Sequence, residues 1–125
     1  MRDTYHAQLD ELHNELKEMG ALCEQAVNYA VKAASTGSSI MGDKAKEADS
    51  KIDRKERDIE ALCMKLLLKQ QPVASELRDI SAALKMITDL ERIGDQASDI
   101  AEIAHFTQGK NGFFTETRGV EGKAF

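Results

Sequence analysis

Residues 5–33, YHAQLDELHNELKEMGALCEQAVNYAVKA, carry Tyr5, Leu9, Leu12, Leu16, Met19, Cys23, Ala26, Ala30 and Ala33 at alternating steps of four and three. This is the heptad seam of a helix in a left-handed bundle, because a 3.5-residue repeat keeps one apolar stripe turned toward its neighbours. The seam residues shrink from Leu and Met to Ala along the chain, so adjoining helices can approach more closely at the far end. Ser35-Thr36-Gly37-Ser38-Ser39 breaks the repeat, and Gly37 is suited to end the last turn. A first helix is expected over about residues 3–36.

Ala45, Ala48, Ile52, Ile59, Leu62, Cys63 and Leu66 recur at helical spacing among charged residues, which predicts an amphipathic second helix over about 43–70. Pro72 ends it, since proline disfavours helical geometry in the residue before it, and proline suits the first turn of a new helix. The third helix is therefore expected to start near Pro72 or Val73 and to run to about 106. Its apolar face is read as Leu77, Ile80, Leu84 and Ile87, moving around to Leu90, Ile93, Ala97, Ile100 and Ala104. The fold class is all-α: an antiparallel three-helix bundle over residues 1–106, with residues 107–125 a glycine-containing tail, loop or disordered. Phe113 and Phe114 in that tail can dock on a neighbour.

Composition agrees with this class, for the 125 residues include one proline and few aromatics among abundant Ala, Leu, Lys, Glu and Asp. The net charge of −5 argues against nucleic acid or anionic lipid as partner, since both need a basic face. No apolar run approaches the roughly 20 residues that cross a bilayer, and the polar start Met1-Arg2-Asp3-Thr4 lacks a signal-peptide core. Direct membrane insertion is not expected, and the location expected is cytoplasmic. Cys23 and Cys63 fall on apolar seams without a CxxC pairing and read as buried thiols of a reducing compartment.

The chemistry lies in the acids. Glu91, Asp95 and Asp99 follow one another at four-residue intervals, which stacks three carboxylates along one side of the third helix. Glu91 and Asp99 have no Lys or Arg three or four residues away, and Asp95 has only Arg92. Glu91 also stands seven residues after Leu84, nearly in line with the apolar face, and Gly94 removes bulk beside it at a cost of about 1 kcal/mol in a helix interior. The second helix has its own pair, Asp49 and Asp53, with Glu56 three residues further on.

If the chain folds back near Gln71, both pairs lie some 20 residues from the turn and come level, giving a multi-oxygen cation site. Such ligands suit Mg, Ca, Mn or ferrous iron, whereas zinc more often recruits His or Cys. The competing reading is a solvated face, with Arg57 paired to Asp53 and Lys46 to Asp49. That reading is the better one for the second helix alone. On the third, the missing basic neighbours favour binding.

His6, Asp10 and His13 share a side of the first helix at ligand-like spacing, but read first as surface groups, and His105 as a complement to a helix C-terminus. No nucleophile with its base and no phosphate-cradling glycine loop is present, so the residues make no case for an enzyme.

Gln70-Gln71-Pro72-Val73-Ala74-Ser75-Glu76-Leu77-Arg78, then Glu91-Arg92-Ile93-Gly94-Asp95, together with Asp49-x-x-x-Asp53, resembles the PhoU family of phosphate-signalling regulators over about residues 3–106. The resemblance implies one three-helix repeat whose acidic motifs bind metal ions, with iron and zinc among the known cases. The ligands carried over by position are Asp49, Asp53, Glu91 and Asp95, to which Asp99 is added as an outer carboxylate. It further implies a negative regulator of the phosphate response, linking the ATPase of a phosphate ABC transporter to a sensor histidine kinase. Family members typically hold two repeats and this chain holds one, which reads as a natural single-repeat protein, a fragment or a truncated reading frame, with self-association into a homo-oligomer as one way to supply the missing half. The alternative function is a structural helical interaction module that needs no metal.

Overall fold

A computed structural model describes residues 2–69 and 71–108, which form three helices and no strand. They are α1 (Arg2–Thr36), α2 (Ser39–Lys69) and α3 (Ala74–Gln108). Lys55 of α2 reaches Glu15 of α1 while Lys44 lies over the Tyr29 ring, so α1 and α2 run antiparallel. Gly42 approaches Ala101 while Asp49 and Ile52 approach Gly94, so α2 and α3 are antiparallel as well. The Cys23 thiol donates to the Leu90 carbonyl at 3.2 Å and fixes the level of the parallel pair α1 and α3.

The first turn is made by the residues expected to make it. Gly37 takes a φ of 71°, and its N–H closes the helix on the Ala33 carbonyl at 2.9 Å. Only one further residue is needed to start α2. The Ser38 hydroxyl accepts from the Met41 N–H at 3.3 Å as an N-cap, so the helix begins at Ser39 rather than at 43. At the second turn Gln71 is left-handed at φ 43°, and Pro72 stands outside the helix rather than in its first turn. The Val73 N–H donates to Glu76 Oε1 at 2.9 Å, half of a capping box, and this sets the start of α3 at Ala74. α3 continues through Thr107 and Gln108, two residues beyond the expected end at 106. The remainder of the expected tail, 109–125 with Phe113 and Phe114, lies outside the described residues, as does the His105 side chain.

The seams of α1 and α2 are the expected ones: Tyr5, Leu12, Met19, Cys23, Ala26, Ala30 and Ala33 are buried against Ala45, Ala48, Ile52, Ile59, Leu62, Cys63 and Leu66. On α3 the expected face holds in part: Ile80, Ile87, Ala97 and Ala104 are buried and Leu84 and Leu90 pack against the core, but Leu77, Ile93 and Ile100 are exposed, and Ala83, Gly94 and Ala101 complete the buried heptad instead. The stripe never drifts around the helix. It continues straight into small residues, which face Ala26, Ala30 and Ala33 of α1 and Ala45 and Ala48 of α2 at the same end of the bundle. At the opposite end Tyr5, Leu12, Ile59, Leu66 and Ile80 fill a wider core.

Candidate metal centre

α2 and α3 cross at the narrow end, and the crossing is made by Gly94. A Cβ built there would stand 2.9 Å from Ile52 Cδ1 and 3.1 Å from Asp49 Oδ1, so the absent side chain leaves the space that the Asp49 carboxylate occupies. Asp49 and Asp53 are half-buried on α2, Glu91 is half-buried on α3, and Asp95 is exposed one turn further along. One carboxylate oxygen from each of Asp49, Asp53 and Asp95 lies within 4.8 Å of the others. Trans oxygens around a calcium ion with bonds near 2.4 Å stand about 4.8 Å apart, so the trio is spaced for a single cation with little rearrangement.

Glu91 joins from the other side, against Asp53. Two carboxylates can share a hydrogen bond only while one of them holds a proton. With both ionised, Asp53 Oδ1 and Glu91 Oε2 are removed from solvent with no donor, and Asp49 Oδ1 is in the same position. Burial is the main cause that pushes Glu91 up to about 8, followed by the hydrogen bond to Asp53 and the charges of Asp53, Glu56 and Asp95. Burial also leads in raising Asp49 to about 6, followed by Asp53, Asp95 and, last, Asp99. Burial and the Glu60, Asp53 and Asp95 charges raise Glu56.

Neither basic residue offered as a local counter-charge takes up that role. Among the described residues the ion pairs are Lys51–Glu47 within α2 and Lys55 with Glu15 and Glu18 of α1; none involves Arg57 or Lys46 with Asp53 or Asp49. The donorless oxygens, on Asp49, Asp53 and Glu91, are hard in character and converge from two helices, a donor set chemically suited to a divalent cation. Asp49, Asp53 and Asp95 are the residues that could hold one, with Glu91 on the Asp53 side. Asp99 is exposed and stands apart from the close trio, in reach of Asp49 only through its field.

Two neighbours of the site were not assigned to it from the sequence. Glu60 extends the acidic row of α2, and its spacing of four from Glu56 was a readable signal. Cys23 lies beneath the carboxylates, its thiol raised to about 11 by burial first and then by Glu91 and Asp49. Its seam position gave burial but no hint of what lies above it. His6, Asp10 and His13 are exposed on α1 and bring no ligand to this centre.

Comparison with known proteins agrees with this architecture. Residues 16–104 match the PhoU domain. A phosphate-specific transport system accessory protein PhoU homolog of Pseudomonas putida is 41% identical over 100 residues, covering 80% of this chain and 39% of that protein. The phosphate-specific transport system accessory protein PhoU of Escherichia coli is 32% identical over 100 residues, with 80% and 42% covered. The crystal structure of PhoU from Pseudomonas aeruginosa superposes with a TM-score of 0.84 at 36% identity, over 93% of this chain and 57% of that one. The chain thus spans about two fifths of the length of the curated relatives it matches. With a matching domain, relatives of this similarity and a shared three-helix architecture, the chain belongs to the PhoU family.

Proposed function

We propose that this chain is a cytoplasmic regulatory adaptor of phosphate uptake and phosphate-responsive signalling, acting as a negative regulator by protein contact and not by turnover. The observation that carries the reading is the set of donorless, half-buried carboxylates between α2 and α3 in a chain of PhoU family membership. Its named relatives are accessory proteins of the phosphate-specific transport system, which makes the transporter ATPase and a sensor histidine kinase the partners to test, alongside a second copy of the chain. Among the described residues no helix is long and apolar enough to cross a membrane.

The role of the cation, iron or zinc by family likeness or else Mg, Ca or Mn, is electrostatic. Bound among Asp49, Asp53, Glu91 and Asp95, it replaces mutual repulsion with shared attraction and holds the two helices at one spacing. It also turns an acidic ridge into a surface whose charge depends on occupancy, which a partner can recognise. The test is affinity of the purified chain for the transporter ATPase and for the kinase, with metal, after chelation, and with Glu91→Gln or Asp95→Asn. Binding weakened together by chelation and by the substitutions supports the reading. Absence of binding to either partner rejects the adaptor role, and binding indifferent to metal leaves the helical module without a metal as the function.

A further inference from the structure

Asp53 and Glu91 meet across the α2/α3 groove, which marks the flank of each helix that borders it. Residues at seven-residue steps from them lie on the same flanks: Glu60 and Leu67 on α2, Leu84 and Leu77 on α3. The helices are antiparallel and rise equally, so the two rows stand level in pairs: Asp53 with Glu91, Glu60 with Leu84, and Leu67 with Leu77. The groove therefore turns from acidic to apolar along one line. Leu67 and Leu84 are partly buried against the core and form its floor. Met64 (46% exposed), Leu68 (77%) and Leu77 (42%) stand open around the apolar end. Glu60 lies between the two ends, with Glu56 one turn nearer Asp53. Among the described residues neither acid forms an ion pair, whether with the bordering Arg57, Lys85 and Arg92 or with another cation, and Arg57 acts on Glu56 only through its field.

We infer that this stretch of the groove takes a basic amphipathic helix of a partner protein, with apolar side chains between Leu67 and Leu77 and Lys or Arg at Glu60 and Glu56. The inference rests on the adaptor reading above and names the chemistry of the partner's contact. Shape favours a helix, because two antiparallel helices leave an outer groove into which another packs along its length. From Leu67 back to Glu56 the groove spans eleven residues, about 16 Å at 1.5 Å per residue, or three turns of an incoming helix. Charge favours a basic one. Covering Glu56 and Glu60 with a neutral or acidic helix would strip them of water with no counter-charge, whereas a Lys or Arg from the partner supplies it. The apolar end makes the helix amphipathic, since Leu68 is open beside Met64 and Leu77 rather than alone, and Met64 adapts its shape to what meets it. Glu56 and Glu60 lie outside the cation-holding set, so helix and cation bind side by side.

The experiment is fluorescence anisotropy of the full chain with a labelled peptide of about 18 residues, long enough to form a helix. It is built on Ala and Gln, with Leu along one face of one half and Lys along the same face of the other. Saturable binding with a dissociation constant below about 100 µM is expected. Leu68→Ser/Leu77→Ser and Glu56→Gln/Glu60→Gln are each expected to weaken it about fivefold or more, with helical circular dichroism and cation uptake unchanged. Replacing Leu by Ser, or Lys by Glu, in the peptide is expected to abolish binding. No saturable binding to the parent, or binding that both double variants leave as it was, overturns the inference. Should a double variant fail to fold, the altered peptides decide, and binding that survives both alterations overturns the inference as well. The peptide is neither ATPase nor kinase, so failure here removes this surface and keeps the adaptor role. A chain that binds the peptide but neither protein keeps the groove and loses the adaptor role.

Discussion

The metal-free chain should lose stability as pH rises from 5 to 8, the reverse of a protein whose carboxylates are held in ion pairs. Glu91 is raised from 4.5 to about 8 and Asp49 from 3.8 to about 6, burial leading in both. An acid with a raised folded-state pKa binds its proton more tightly in the folded chain. Its stabilising contribution is therefore full below the unfolded value and disappears as pH climbs to the folded value. For Glu91 the window runs from 4.5 to about 8, and for Asp49 from 3.8 to about 6. One extra bound proton gives a slope of about 1.4 kcal/mol per pH unit. Both acids retain contact with water and share one cluster, so about half of that slope is expected, a loss of about 2 kcal/mol between pH 5 and 8. Urea midpoints at a constant m-value measure it directly. Glu91→Gln should remove most of the loss and be the more stable protein at pH 8 without metal. Parent stability that rises across this range refutes the reasoning, as does a slope that Glu91→Gln leaves intact.

Other substitutions test single contacts. Gly94→Ala gains about 1 kcal/mol of helix propensity but drives a methyl group into Ile52 and the Asp49 carboxylate, so a net loss of about 1 kcal/mol and a weaker cation titration are expected; a plain gain in stability would show that the two helices have room to spare. Ile59→Ala, at a fully buried site in the wide end of the core, should cost about 2–5 kcal/mol in urea unfolding. Ser38→Ala removes the α2 cap and should cost about 1 kcal/mol, with no effect on metal binding.

Much of this fold was legible because its signals are periodic. The α1 and α2 seams, the Gly37 stop and the break before Pro72 all follow from spacing and backbone restriction. The α3 seam was misread at three positions for a physical reason: hydrophobicity weighs Leu77, Ile93 and Ile100 as core, whereas Gly94 and Ala101, with less apolar surface, are the residues turned inward. Small residues there are the core, and the large ones are left for another surface. The α2 start was misplaced because Ser38 caps through a hydroxyl that a hydrophobic pattern does not register. Counting from the turn was sufficient to bring Asp49 and Asp53 level with Glu91 and Asp95, since helical rise is nearly constant. The differing roles of Asp95, within the close trio, and Asp99, outside it, depend on side-chain placement that spacing does not fix.

Cation binding by the α2/α3 carboxylates is tested most directly by native mass spectrometry of chelator-treated chain re-exposed to Mn²⁺, Zn²⁺ or Fe²⁺. At least one ion per chain is predicted for the parent, and none for the Asp49→Asn/Asp53→Asn double variant. A parent that takes up no ion, or a double variant that binds as the parent does, contradicts the account.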